Sequence, residues 1–179
     1  MQVIAGKYSN RKLIAPESAR PTLARVKTSL FSMINQYILD AKVLDLFAGS
    51  GAYGIECISR GCLHCTFVDK ELKTKQVLLR NLHNIPQNLY EIITDDFSTV
   101  LKRFIGKKFN IIFLDPPYES EMLDISINMI ERYELLEDGG IIVAETNSKK
   151  ILQEQTNSCI MIKQKNYGTK KIAIYQKVK

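Results

Sequence analysis

The chain has 179 residues, of which 45% are hydrophobic and 25% charged, with a formal net charge of +6. This composition fits a soluble globular protein with one domain over residues 1–179. No apolar run approaches the roughly 20 residues of a membrane-spanning helix, and the first residues lack the charged and apolar regions of a secretory signal. We therefore expect a cytoplasmic protein with no membrane partner.

In chain order, the first elements are a hairpin and a helix. Short apolar runs at 3–5 and 12–14 surround a turn-like segment at 8–10 and predict an N-terminal hairpin. Thr22 is placed to cap a helix. The apolar face predicted for that helix consists of Leu23, Val26, Leu30, Ile34 and Ile38.

An alternation of strands and helices follows. Apolar runs that predict strands lie at 43–47, 65–68, 90–93, 111–114 and 141–144. Helical patterns separate them, for example at 72–82 and 122–130. This order predicts a parallel α/β sheet covered by helices on both faces. The tail, with apolar runs at 159–162 and 172–175, predicts an antiparallel hairpin at the sheet edge.

The positive charge is concentrated at the two ends of the chain. Residues 1–40 carry six basic side chains against two acidic ones, and residues 146–179 carry eight against one. Residues 41–145 contain eleven basic and sixteen acidic side chains, a net charge of −5. Such segregation is typical of a catalytic domain whose ends bind a polyanion, although lysine-rich solvated surfaces produce the same pattern.

Four cysteines suit a reducing compartment. Cys62 and Cys65 have the spacing of metal ligands, but no second pair of cysteines or histidines completes a zinc set. We therefore expect no metal site.

A glycine-rich turn follows the strand at 43–47. Gly49, Gly51 and Gly54 let the backbone turn sharply and approach a ligand without a Cβ in the way. Their spacing suits a dinucleotide as well as S-adenosylmethionine. Asp45 favours S-adenosylmethionine, because its carboxylate can pair with an amino-acid ammonium and would repel a pyrophosphate.

Carboxylates also end the next two strands. Asp69 is placed to accept hydrogen bonds from ribose hydroxyls. The segment Asp95-Asp96-Phe97 ends the third strand, where a carboxylate can accept from an adenine amine. Both positions fit an adenosine beside the glycine turn.

The second motif is Asp115-Pro116-Pro117-Tyr118, directly after the strand at 111–114. It suits an amine conjugated to a ring, a poor nucleophile whose hydrogens the Asp115 carboxylate and the Pro116 carbonyl could accept. Pro117 stiffens the turn, and Tyr118 offers a face for stacking a base, worth roughly 1–3 kcal/mol. A base in a duplex cannot reach such a pocket, so the substrate must be flipped or unpaired. Alternatively, the prolines only end a strand.

The two motifs, in this order, resemble the amino-methylating class of methyltransferases. The flanks resemble the bacterial RsmD family, guanine-N2 methyltransferases of small-subunit (16S) ribosomal RNA. The segments that carry this resemblance are 3–7, Arg11-Lys12-Leu13, Arg20-Pro21-Thr22, Arg25-Val26-Lys27, Leu30-Phe31, Tyr167-Gly168-Thr169 and Ile174-Tyr175.

The resemblance implies a Rossmann-like sheet of seven strands with helices on both faces. It also implies a small hairpin and helix extension over 1–40, which docks RNA, before a catalytic core over 41–179. The substrate would be a guanine N2 amine of a partly assembled small ribosomal subunit, and we expect a monomeric enzyme that uses S-adenosylmethionine.

The implied site residues fall into three groups. The catalytic residues are Asp115, Pro116, Pro117 and Tyr118. The cofactor-binding residues are Asp45, Phe47, Ala48, Gly49, Gly51, Asp69, Asp96 and Phe97. The residues that contact RNA phosphates are Lys7, Arg11, Lys12, Arg20, Arg25 and Lys27.

Three positions depart from the family pattern. Asn10 stands where a glycine is usual, but asparagine tolerates a positive φ. Asp69 replaces a glutamate, and Asp95 could take the role given to Asp96. Three alternatives stay open: an adenine-N6 methyltransferase, a nicotinamide-dependent oxidoreductase, and an RNA-binding assembly factor without catalysis.

Overall fold

The computed structural model describes residues 1–15, 24–117 and 120–178. Its helices are α1 (Ala24–Ile34), α2 (Ala52–Ser59), α3 (Leu72–Asn81), α4 (Phe97–Arg103) and α5 (Met122–Arg132). Its strands are β1 (Lys42–Asp45), β2 (His64–Asp69), β3 (Tyr90–Thr94), β4 (Phe109–Leu114), β5 (Leu136–Asn147), β6 (Cys159–Tyr167) and β7 (Lys170–Lys177). No helix within these described ranges is long and apolar enough to span a bilayer.

The strands form one seven-stranded sheet in the order β3-β2-β1-β4-β5-β7-β6. Strands β1 to β5 pair in parallel, whereas β7 runs antiparallel to both β5 and β6. The strand order reverses beside β1, so the carboxyl ends of β1 and β4 border the crevice where such sheets bind ligands. The predicted α/β sheet and edge hairpin are confirmed.

Helices cover both faces of the sheet, as predicted. Alternate strand residues such as Val43 and Ile111 pack toward α1, α2 and α3. Their neighbours Leu44 and Ile112 face α4 and α5. The central strands are therefore apolar on both sides, which is why they read as continuous hydrophobic runs.

The N-terminal hairpin forms around a left-handed asparagine. The Val3 N–H donates to the Arg11 carbonyl, and the Asn10 N–H donates to the Val3 carbonyl, both at 2.9 Å. Asn10 has a φ of +66°, so asparagine supports the turn as expected. Val26, Leu30 and Ile34 lie on the buried face of α1, as predicted. Ile38 is buried too, but it lies beyond the end of that helix. The Thr22 cap and Leu23 lie outside the described residues.

Two elements differ from the expectation. Strand β5 begins at Leu136 rather than near 141, because its first half contains polar residues and two glycines that hide the strand pattern. Helix α4 has seven residues, too few for a clear apolar period. Its signal is Asp96, whose side chain accepts from the Ser98 N–H and caps the helix.

Candidate active site

The glycine turn joins β1 to α2 at the reversal of the strand order. Gly49 and Gly51 have φ values of +52° and +76°. The Gly51 N–H donates to the Ala48 carbonyl at 2.7 Å, and the Ala48 N–H donates to the Val68 carbonyl at 2.9 Å. A Cβ on Gly51 would lie 2.6 Å from Leu78, whereas a Cβ on Gly49 would meet nothing within 4 Å. Packing therefore demands glycine at 51, and Gly49 faces an open space.

Asp45 lies beneath this turn. It is 3% exposed, and its carboxylate accepts from the Gly54 N–H at 3.1 Å. Burial raises the pKa of Asp45 to about 7, against the opposing effect of the Gly54 hydrogen bond. The repulsion of the Asp69 carboxylate raises this pKa further.

Asp69 ends β2 across the turn. One carboxylate oxygen accepts from the Gly49 N–H and the other from the Glu71 N–H, each at 3.0 Å. Asp69 is only partly buried. Asp69, which is shorter than the glutamate usual at this position, therefore holds the glycine turn through its hydrogen bonds. Part of the residue stays accessible to solvent.

Two aromatic rings meet beside this turn. Phe47, which follows β1, and Phe97, the first residue of α4, have ring centroids 5.3 Å apart. Asp96 is exposed and caps α4, and the Ser98 hydrogen bonds lower its pKa. Asp95 forms an ion pair with Arg103. Of the two aspartates, Asp96 is the one without a cationic partner among the ion pairs of the described residues.

The second motif follows β4, the strand beside β1. Asp115 is partly exposed, Pro116 is buried and Pro117 is exposed. The Pro117 carbonyl accepts from the Ser120 N–H at 3.1 Å and from the Ser120 hydroxyl at 2.6 Å. Tyr118 lies outside the described residues.

Asp115 lies in a strongly anionic environment. Although the residue as a whole is partly exposed, its carboxyl group is buried, and this burial raises its pKa well above the ordinary range. The carboxylates of Glu145 and Asp45 raise it further. The Lys170 ammonium opposes this effect. A carboxyl group held in this way has the basicity needed to accept a proton near neutral pH.

Sequence reasoning missed a buried network beside Asp115. Glu145 is 1% exposed and accepts from the Tyr53 hydroxyl at 2.5 Å. It also forms an ion pair with Lys170. The available signal was a carboxylate directly after the apolar run 141–144, one position beyond the Leu114–Ala144 pair of β4 and β5.

The predicted phosphate-binding residues fall into different environments. Lys7, Lys12 and Arg25 are exposed. Arg11 is partly exposed, and its guanidinium donates to the His83 carbonyl. Arg20 lies outside the described residues.

The prediction that Lys27 contacts phosphate is wrong. Its side chain is 1% exposed, and its ammonium lies 2.8 Å from the buried Glu56 carboxylate. It also donates to the Gln2 carbonyl at 3.0 Å. Lys27 therefore holds the N-terminal segment and α1 against α2.

The basic C-terminal segment is less available than its charge indicates. Lys150, Lys170 and Lys177 form ion pairs with acidic residues, and Lys171 is buried. Lys149, Lys163 and Lys165 remain exposed. Three of the eight lysines of residues 146–179 are thus paired with acidic residues outside that segment.

Comparisons with known proteins agree over almost the whole chain. Residues 1–176 match the model of a family described as conserved hypothetical protein 95. A Bacillus subtilis (strain 168) protein named "Putative rRNA methyltransferase YlbH" is 40% identical, and the alignment covers 99% of each chain. "Ribosomal RNA small subunit methyltransferase D" of Escherichia coli (strain K12) is 31% identical, over 99% of this chain and 90% of that protein.

Solved structures give the same result. The chain superposes on "Putative methyltransferase yhhF from Escherichia coli" with a TM-score of 0.90 and 30% identity. The match covers 99% of this chain and 98% of that one. A second solved structure, "putative methylase HI0767 from Haemophilus influenzae", matches with a TM-score of 0.85 and 29% identity, over 99% of this chain and 98% of that one.

Proposed function

The chain belongs to the RsmD family of methyltransferases, and we propose that it methylates the exocyclic N2 amine of a guanine in small-subunit (16S) ribosomal RNA. One observation carries the proposal: Asp45 is the last residue of β1 and Asp115 directly follows β4, so both lie at the carboxyl ends of adjacent parallel strands, where the strand order reverses. A methyl donor at the first and an amine at the second would therefore be neighbours. The names of the relatives support ribosomal RNA as the substrate class.

The residues of the glycine turn fit S-adenosylmethionine. The open space beside Gly49 leaves room for a ligand against the backbone, and Asp45 offers a carboxylate to an ammonium group. The methionine part of the cofactor would be held by Asp45, Phe47, Ala48, Gly49 and Gly51. Asp69 would bind the ribose, and Asp96 and Phe97 would bind the adenine. When bound, S-adenosylmethionine supplies a methyl group on a positively charged sulfur.

The second motif would hold the target amine. The Asp115 carboxylate and the Pro116 carbonyl accept its two hydrogens, which returns electron density to nitrogen and fixes its direction. Pro117 keeps the turn rigid, and Tyr118 stacks on the base. Asp115 can also take the proton that nitrogen loses, because its burial and its anionic neighbours increase its basicity.

RNA would dock on the extension formed by residues 1–40, which precedes the catalytic core of residues 41–179 in the chain. The proposed phosphate contacts are Lys7, Arg11, Lys12, Arg20 and Arg25. Lys27 is excluded because it is buried against Glu56. Lys7 and Arg11 flank the Tyr8 ring, with their charged groups 5.6 and 5.8 Å from its centroid. We propose a monomer that acts on a partly assembled small subunit.

The test is methylation of small ribosomal subunits from cells that lack the enzyme. The purified protein is incubated with radiolabelled S-adenosylmethionine, and the RNA is digested to nucleosides. We expect label in N2-methylguanosine. Label in N6-methyladenosine would support amine methylation in this pocket but would reject guanine as the substrate base. The absence of label would reject the proposal. A parallel assay with a nicotinamide dinucleotide should detect no binding.

A further inference from the structure

Asp115 and Glu145 occupy neighbouring positions at the ligand-binding edge of the sheet. Strands β4 and β5 pair in parallel up to Leu114 opposite Ala144, and Asp115 and Glu145 are the residues that follow this last pair in the chain. In parallel strands, paired residues direct their side chains to the same face. Two carboxylates thus lie next to each other, and one of them is the proposed amine-binding group.

Glu145 links this position to two further elements. It accepts a hydrogen bond from the hydroxyl of Tyr53, the second residue of α2. The Tyr53 ring stacks on the Phe113 ring, with 5.1 Å between the ring centroids. Its ion-pair partner Lys170 is the first residue of β7 and pairs with Asn147 of β5. The network therefore joins the helix of the glycine turn to the C-terminal hairpin, beside Asp115.

We propose that Tyr53, Glu145 and Lys170 are positioning residues for the methyl-transfer pocket, which hold a buried pair of opposite charges in place beside Asp115. This inference rests on the proposed function. Asp115 remains the residue that touches the substrate. Glu145 is 1% exposed, and its carboxylate contacts the Tyr53 hydroxyl and the Lys170 ammonium. It therefore acts through its neighbours and not by touching the substrate.

The charges around Asp115 explain how the network would work. The charged groups that shift the pKa of Asp115 are Glu145 on β5, Lys170 on β7 and Asp45 on β1. An anion at Glu145 disfavours the ionised form of Asp115, and the cation at Lys170 favours it. Removing the two charges one at a time must therefore move the titration of Asp115 in opposite directions. Charges too far from Asp115 to act on it would not produce opposite shifts.

The test measures Asp115 directly, without cofactor or RNA. The full-length protein is labelled with ¹³C at its aspartate carboxyl groups and titrated by NMR, with Asp115→Asn to assign the signal. We expect the midpoint to fall in Glu145→Gln and to rise in Lys170→Met. Lys177→Met removes the cation of another ion pair on β7, at the opposite end of that strand, and should leave the midpoint unchanged.

Unmoved midpoints, or shifts in the same direction, would overturn the inference. If Glu145→Gln does not fold, Lys170→Met decides alone, and Lys170→Arg should restore the wild-type midpoint. In the methylation assay, Glu145→Gln should lower kcat roughly 10-fold with little change in the affinity for S-adenosylmethionine. The acid limb of the pH dependence of kcat should also move to lower pH in Glu145→Gln. A wild-type protein that fails to methylate RNA would reject the proposed function, while the NMR titration still decides the role of the network.

Discussion

The ammonium of Lys27 lies 2.8 Å from the carboxylate of Glu56, and both side chains are buried. Glu56 also accepts from the Ile4 N–H at 2.8 Å and the Ala5 N–H at 3.1 Å. One buried carboxylate thus holds α1, α2 and the N-terminal segment together. Burial alone would raise the pKa of Glu56, but the Lys27 hydrogen bond and the N–H donors lower it overall.

We predict that Lys27→Met reduces the free energy of unfolding by about 1–3 kcal/mol, because Glu56 loses one charged hydrogen-bond donor and keeps its ion pair with Arg60 at 2.8 Å. Arg25→Met is the matched control, since Arg25 is exposed on the same helix. It should change stability by less than about 0.5 kcal/mol. The measurement is urea unfolding at neutral pH. Equal effects of the two variants would contradict the role given to this ion pair.

The sequence predicts the sheet well because its strands are buried on both faces and its helices carry apolar stripes. The positions of Asp45 and Asp115 follow from the same pattern, since Asp45 ends one strand and Asp115 directly follows another. The role of Lys27 does not follow. Its basic neighbours indicate an exposed cluster, whereas its partner Glu56 lies 29 positions away on another helix.

The Glu145 network is hidden for a similar reason. Its partners Tyr53 and Lys170 are 92 and 25 residues away in the chain, and no local period connects them. Only the register of β4 with β5 brings Glu145 beside Asp115. Long-range pairing of polar groups is decided by tertiary packing, so sequence patterns identify the ends of the strands and not the buried contacts behind them.

The two glycines of the turn should respond differently to an added methyl group. Gly51→Ala places a Cβ 2.6 Å from Leu78 at a left-handed position, and we expect a large loss of stability. Gly49→Ala meets open space and should cost only about 1–2 kcal/mol for its left-handed backbone. It should nevertheless weaken binding of S-adenosylmethionine, because the methyl group occupies the proposed ligand space. Thermal unfolding and calorimetric titration measure the two effects. Unchanged cofactor affinity in Gly49→Ala would place the ligand elsewhere.

Asp115→Ala should abolish methyl transfer and leave the affinity for S-adenosylmethionine within about threefold. The reason is that Asp115 belongs to the amine pocket and not to the glycine turn. Asp124→Ala, an exposed aspartate on α5, is the control and should retain activity. The measurements are label incorporation into ribosomal RNA and equilibrium dialysis of the cofactor. Loss of cofactor binding in Asp115→Ala would show that this residue has another role.

RNA binding should weaken steeply with salt, because the proposed contacts neutralise phosphates. Arg25→Ala should reduce the slope of log affinity against log salt by about 1. Lys177→Ala should leave the slope unchanged, since Lys177 forms an ion pair with Asp138. Filter binding to small ribosomal subunits at several salt concentrations gives these slopes. An affinity independent of salt would reject a docking surface built on basic side chains.

Stability of the ligand-free protein should fall as the pH rises toward neutrality, and Asp45 should account for part of this change. Its pKa is about 7 in the folded protein against an ordinary value of 3.8. Between these values the folded state holds a proton that the unfolded state has lost, so protonation favours folding. The contribution is complete below about pH 4 and is lost as the pH rises through about 7.

Asp45→Asn cannot titrate and therefore isolates this contribution. We expect the stability of the wild type relative to Asp45→Asn to decrease between pH 4 and pH 7, by an amount on the order of a few kcal/mol. Urea unfolding of both proteins at several pH values measures the difference. The same carboxyl group must be ionised to pair with an ammonium, so the affinity of the wild type for S-adenosylmethionine should increase over this pH range. A constant stability difference together with a constant affinity would mean that Asp45 is already ionised at acid pH and that its burial is compensated by groups other than Gly54.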